Sequence, residues 1–328
     1  MQEKKGYLVI SLDFELYWGM FDKVTLDEYG KHILGVRTAI PRMLELFVAH
    51  SIHATWAGIG MLMARNKPEL MALLPPLHLR PEYEDMSVSA YRHIETAKIG
   101  EDEESDPYHF GSSLVKMIVS TLNQEFANHT FSHYYCIDGH ENDPSIFERD
   151  LEAHNQISQT YGIQTQSIIF PRNQTSDSAL ASCVGRGIHA YRGNENHFLY
   201  RPRKDDEQTL FIRGLRLLDH YINISGHHTY PIPKKDALGM IDIPASRFLR
   251  PWNSILRVFE WMRLLRIKNS MTYAARQGEV FHLWWHPHNF GINQEQNFKN
   301  LEKIITHFEI LKNKYGMKSA SMKDIIHI

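Results

Sequence analysis

Tyr7-Leu8-Val9-Ile10-Ser11-Leu12-Asp13-Phe14-Glu15 is the stretch from which the fold can be read. Its first six residues form a near-continuous apolar run, as a strand buried on both faces of a parallel sheet requires. Asp13 and Glu15 follow at the C-terminal end, two residues apart and therefore on the same side of an extended chain. In α/β barrels that end of the strand carries the chemistry. The ordinary roles for an isolated acid pair are a capping Asp13 and a solvated Glu15.

The strand-helix alternation continues outward from this run. Arg37 to His50 has helical periodicity, and Ile52-His53-Ala54-Thr55-Trp56-Ala57 reads as a second strand. A helix over about Met61 to Leu74 ends at Pro75-Pro76. From there to about residue 112 the pattern dissolves into Tyr, Pro and acids, the signature of a lid, a binding loop or an insertion. Short strands are expected at Glu125–Asn128, Gln166–Phe170, Gly187–Arg192, Gly239–Pro244 and Val280–Trp285. Helices are expected between and after them, the last over Gln294–Tyr315 with Gly316 as its cap. The order predicts α/β architecture in a single domain over 1–328, with an irregular insertion at about 76–112.

The second acid-rich or basic cluster to consider is a histidine pair. With 20 histidines in 328 residues, an i, i+4 spacing arises by chance about once, so spacing alone decides little. His129 and His133 open a polar segment after a short apolar one, where one helical turn would put both imidazoles on one face. His282 and His286 lie along a strand, where four residues span about 13 Å, too far for one ion. His129 and His133 are therefore the candidate chelate. Pro287 leaves His286 at the tip of its strand.

Composition is that of a globular protein, 43% hydrophobic and 23% charged, and the net charge of −2 offers no global attraction for nucleic acid. Cys136 and Cys183 cannot build a disulfide framework. The N-terminal residues lack a signal-peptide pattern and no segment is apolar enough to span a bilayer, so a cytoplasmic location is expected. One stretch qualifies that location. Residues 247–268 read as a helix with Arg247, Arg250, Arg257, Arg263, Arg266 and Lys268 against Glu260 alone, together with Trp252 and Trp261. Such a helix either lies peripherally on an anionic inner membrane face or packs its apolar stripe on the barrel.

Four elements in order resemble the polysaccharide deacetylase family, the carbohydrate esterases with a NodB homology domain. They are Ser11-Leu12-Asp13-Phe14-Glu15, His129-Thr130-Phe131-Ser132-His133, Phe170-Pro171-Arg172 and Leu283-Trp284-Trp285-His286. The resemblance implies a distorted (β/α) barrel and a divalent metal, zinc being the expected ion. It implies Glu15, His129 and His133 as ligands, Asp13 as general base, His286 as general acid and Arg172 as the group that orients Asp13. The family's first motif has adjacent aspartates, whereas here the second acid is Glu15, so Asp13 remains open as a ligand. The third motif is inverted, with Pro171 before Arg172, and Asp242 is the nearest residue to a fourth.

The resemblance also implies an activity: hydrolysis of an N-acetyl group from an amino sugar, a nucleotide- or lipid-linked intermediate of glycan biosynthesis given the expected location. Tyr17, Trp18, Trp284 and Trp285 are candidates to stack on sugar faces. Two alternatives stand beside this activity. One is hydrolysis of another carbon-nitrogen bond, as in deformylases of lipid-linked amino sugars or allantoinase-like amidases. The other is a non-catalytic carbohydrate-binding protein on the same fold.

Overall fold

The computed structural model describes residues 5–136, 143–201 and 209–328. Its centre is one parallel nine-stranded sheet. The strands are β1 (Tyr7–Phe14), β2 (Ala54–Gly58), β3 (Gln124–Asn128), β4 (Ser167–Ile168), β5 (Ala190–Tyr191), β6 (Ile241–Asp242), β7 (Arg247–Phe248), β8 (Val280–Trp285) and β9 (Lys318–Ala320). The spatial order is β6-β5-β4-β3-β2-β1-β8-β7, and β9 pairs with β1. The sheet curls into the distorted barrel that the sequence implied.

Helices wrap its outer face: α1 (Leu26–Leu34), α2 (Val36–Ala49), α3 (Lys67–Leu73), α4 (Ala90–Thr96), α5 (Ser112–Ser120), α6 (Pro144–Gln159), α7 (Asp177–Val184), α8 (Leu210–Asp219), α9 (Glu260–Gln277), α10 (Gln294–Tyr315) and α11 (Met322–Ile326).

β1 is central because it is buried along its whole length. The pleat divides its side chains. Leu8, Ile10, Leu12 and Phe14 join the large core that includes Ile40 and Phe47 of α2 and Leu301 and Ile305 of α10. Val9 faces the barrel interior with Ala57, Ala127 and Ala190, small residues that suit a narrow lumen. Ser11 and Asp13 continue that inner row upward. α11 seals the opposite end: the Met322 N–H donates to Thr55 Oγ1 at 2.8 Å and the Lys323 N–H to Glu125 Oε2 at 2.9 Å. The chemistry is thereby confined to the C-terminal ends of the strands.

Two glycines bring the segment after β8 against the helices. A Cβ on Gly35 would lie 1.9 Å from the Gly291 carbonyl oxygen, so only glycine allows these backbones to meet. The contact holds the turn Pro287–Phe290, which follows His286, beside α1 and α2.

The structure corrects three sequence expectations. Residues 247–268 are not one helix: β7 comes first, then an irregular segment, a 3-10 turn at Arg257–Phe259, and α9 from Glu260. Its cations are partly internal. Arg247 reaches Asp219 at 2.6 Å, Arg266 reaches the same carboxylate at 3.6 Å, and Arg263 pairs with Glu260 at 2.6 Å. The insertion at 76–112 is ordered by α4 and two 3-10 turns, Leu77–Leu79 and Met86–Val88. Finally, Asn128 to His133 form a bend rather than a helical turn.

Candidate metal centre

The strand ends bring Asp13, Glu15, His129, His133 and His286 together although they span most of the chain. β1 supplies the two acids. β3 ends at Asn128, and the bend after it turns sharply because Thr130 and His133 adopt left-handed backbone conformations, with φ of 62° and 58°. Such angles are costly for side-chain-bearing residues and need support. Asn128 Oδ1 accepts the Thr130 N–H at 2.6 Å, and Thr130 Oγ1 accepts the Tyr134 N–H at 2.7 Å. From α6, the buried Asp150 carboxylate accepts the N–H groups of Phe131 at 2.6 Å and Ser132 at 3.1 Å, and the Ser132 hydroxyl also donates to it. The bend sets the His129 and His133 rings 5.3 Å apart by centroid, which a helical turn was expected to do.

The donor geometry suits a divalent ion. His129 Nδ1 lies 2.7 Å from the Ile169 carbonyl, so it carries the proton and Nε2 keeps its lone pair. That Nε2 is 3.1 Å from Glu15 Oε1, and His133 Nε2 is 3.4 Å from the same oxygen. Neither ring nitrogen of His133 has a hydrogen-bond partner although the ring is buried. Burial pulls His133 below its ordinary pKa despite Glu15, which favours the neutral imidazole that a metal requires. An orphaned buried imidazole beside a carboxylate and a second imidazole fits zinc-type coordination. Asp13, Glu15 and His286 form a second group close enough to share an ion.

Arg192, at the end of β5, takes the place expected for Arg172. Its Nη1 and Nη2 each donate to Asp13 at 2.7 Å, in a buried bidentate pair. Asn173 Oδ1 holds the other edge of the guanidinium at 3.0 and 2.9 Å, and the Trp284 ring lies 4.1 Å beneath its plane. Burial would raise the Asp13 pKa, but Arg192 outweighs it and holds the carboxyl below its ordinary value. Arg172 reaches Asp22 instead, at 3.3 Å, and stacks 4.3 Å over Tyr135. His286 Nε2 stands 3.8 Å from Asp13 and 3.6 Å from Glu15. Burial lowers its pKa, yet the two carboxylates more than compensate and leave it raised.

These groups open onto a cavity of about 460 Å³. Of the aromatic residues expected to meet a sugar, Trp284 lines it, and Tyr17, Trp18 and Trp285 do not. Trp18 and Trp285 are fully buried, the Trp18 indole donates to the His109 carbonyl at 2.7 Å, and the Tyr17 hydroxyl donates to Val24 at 2.9 Å. Tyr135, Tyr200 and Phe248 line the wall beside Trp284. Glu195 also lines it and was missed in the sequence; burial pushes its carboxyl up to about 7. Asp242 lies behind Gly193, where a Cβ would come within 2.2 Å of its carboxylate.

No family model and no curated protein sequence matches the chain. Solved structures do. A Mycobacterium smegmatis protein described as a polysaccharide deacetylase superposes with a TM-score of 0.59 at 11% identity, over 100% of this chain and 91% of that one. The 4-alpha-glucanotransferase of Thermococcus litoralis gives 0.54 at 10% identity, over 99% of this chain and 40% of that one. The fold is thus the distorted barrel of the polysaccharide deacetylases, and an enzyme of glycosyl transfer shares it.

Proposed function

We propose that the protein is a divalent-metal-dependent hydrolase that removes the N-acetyl group from an amino sugar used in glycan biosynthesis. The observation that carries this reading is the unpartnered, buried His133 imidazole beside Glu15 and His129. A divalent ion held there, zinc by the donor set, supplies Lewis acidity to a water and to the acyl oxygen. Asp13, kept ionised and aimed by Arg192, accepts the proton of the attacking water. Its two oxygens are engaged by Arg192, which suits a base better than a ligand. His286, at the cavity edge, returns a proton to the departing amine. Trp284 and Tyr135 offer faces to the sugar ring.

Glycosyl transfer on the same fold is the rival chemistry. It needs carboxyl groups on opposite sides of the scissile bond. Here Asp13 and Glu15 leave one strand end together and share His286, an arrangement that gathers around an ion.

The test is elemental analysis after zinc titration, followed by acetate release from a panel of acetylated and formylated amino sugars. Wild type should bind about one ion per chain, and His129→Ala/His133→Ala should bind none. Asp13→Asn should keep the ion while turnover falls by roughly 10²- to 10⁴-fold. Loss of the ion from Asp13→Asn would make Asp13 a ligand, and no ion in wild type would remove the proposal.

A further inference from the structure

Ten of the 23 large apolar side chains exposed among the described residues fall in two short segments, 210–224 and 255–265. Isolated exposed apolar residues are ordinary, but a concentration marks a contact surface. The segments meet. The Tyr221 and Phe259 rings are 6.3 Å apart, and Arg266 of α9 donates to the Gly226 carbonyl. Asp219, the last residue of α8, is bound from the other side by Arg247 at 2.6 Å. One continuous face therefore joins Leu218 and Ile222 to Ile255, Val258, Trp261 and Leu265. Ile255 is 83% exposed and Trp261 63%.

Among the described residues of the two segments, the exposed charge has one sign. Asp219 is buried under its arginines and Glu260 is engaged by Arg263. Among the charged residues of the two segments, only Arg213 and Arg257 are exposed. An exposed tryptophan among aliphatic side chains, with exposed Arg213 and Arg257 on the same segments, matches the headgroup-acyl boundary of a bilayer in both chemistry and charge. The face also adjoins the cavity, since Arg216 of α8 and His220, which follows it, line the cavity wall.

We propose that this composite face docks the protein on an anionic lipid bilayer, turning the mouth of the cavity toward the headgroups. Taken with the hydrolase reading, on which this clause rests, the amino sugar would be carried on a lipid. No helix among the described residues is long and apolar enough to cross a membrane, so the contact is peripheral.

Co-sedimentation with phosphatidylcholine vesicles, with and without phosphatidylglycerol, tests the docking without any hydrolysis being measured. The full chain should pellet with the anionic vesicles, and added salt should weaken binding. Ile255→Ser/Trp261→Ser should release it. Arg213→Glu/Arg257→Glu, which leaves the apolar side chains in place, should cut binding by at least about tenfold. Zinc uptake by both variants should match wild type, so failure of the docking is separable from failure of the metal centre. No pelleting with either vesicle, or pelleting that both variants retain, would overturn the proposal. So would a dimer in sedimentation velocity that Ile255→Ser/Trp261→Ser dissolves without any vesicle binding, because the face would then join two copies of the chain.

Discussion

Arg192 shows how a single residue's setting controls the site. Its two Nη atoms grip Asp13 while Asn173 and Trp284 fix its own plane. Lysine cannot reproduce a bidentate, stacked contact. Arg192→Lys should therefore lower kcat/KM by roughly 10- to 100-fold, as loss of an orienting partner does. It should also move the acidic limb of the pH profile upward, because the charge that holds the Asp13 pKa low is displaced. Arg172→Ala should leave that limb in place, since Arg172 pairs with Asp22. A second test concerns Gly19, where a Cβ would sit 2.2 Å from Glu15 Oε2. Gly19→Ala should displace that carboxylate and weaken zinc binding in a competition titration, with the far-UV circular dichroism unchanged. What was and was not legible at this scale has reasons in the chain. Asp13, Glu15 and the histidines were legible because strand ends and short spacing mark them. The choice of Arg172 followed motif order, although Arg192 met the same strand-end criterion. Trp285 was a parity error: it pairs with Leu12, which faces the helices, whereas Trp284 pairs with Ser11 on the inner row.

Elements meet here through buried charge as much as through apolar packing. Asp219 ends α8, and its carboxylate accepts from Tyr200, Ser225, the N–H of Ile224 and Arg247 of β7. Arg266 of α9 approaches it at 3.6 Å. Burial opposes the ionised form, but Arg247 and these donors hold the pKa well below the usual carboxylate range. Removing one member of such a group strands the others. Asp219→Asn should cost on the order of 3 to 5 kcal/mol in urea unfolding, provided the metal state is matched. An unchanged midpoint would mean that the arginines find solvent instead. This junction explains why 247–268 read as one basic amphipathic helix. The one-dimensional pattern counted Arg247, Arg263 and Arg266 as surface charge, whereas Arg247 and Arg266 reach Asp219 of α8 and Arg263 pairs with Glu260 within α9. Strand and helix order was legible because periodicity is local. The bend at His129 to His133 was not, because Asp150, far along the chain, holds it.

At the scale of the whole molecule, burial of titratable groups sets how stability follows pH. Four carboxyls are raised by burial: Glu195 to about 7, Asp150 and Asp242 to about 6, and Glu125 above its ordinary value. Each binds a proton more tightly folded than unfolded, so each loses stability as pH rises from the unfolded carboxylate value to its folded one. Ten histidines among the described residues are lowered by burial, among them His93, His154 and His228 to about 4 and His282 and His288 to about 3. Each binds a proton less tightly folded, so each gains stability as pH rises from its folded value toward the unfolded 6.5. Between pH 4 and 6 both sets titrate and the histidines outnumber the carboxyls. Stability should climb through that window, flatten near 6.5, and then dip while Glu195 and His286, whose pKa is raised by the neighbouring carboxylates, still differ between folded and unfolded states. Urea unfolding across this range, with chelator present so that metal binding adds no linkage of its own, reads the curve. Glu195→Gln should shrink the dip near neutrality to the part owed to His286 and steepen the climb below it, because it removes one opposing carboxyl and none of the histidines. A curve that falls steadily from pH 4 to 6 would show that the carboxyls dominate and that the histidines are solvated in the folded chain.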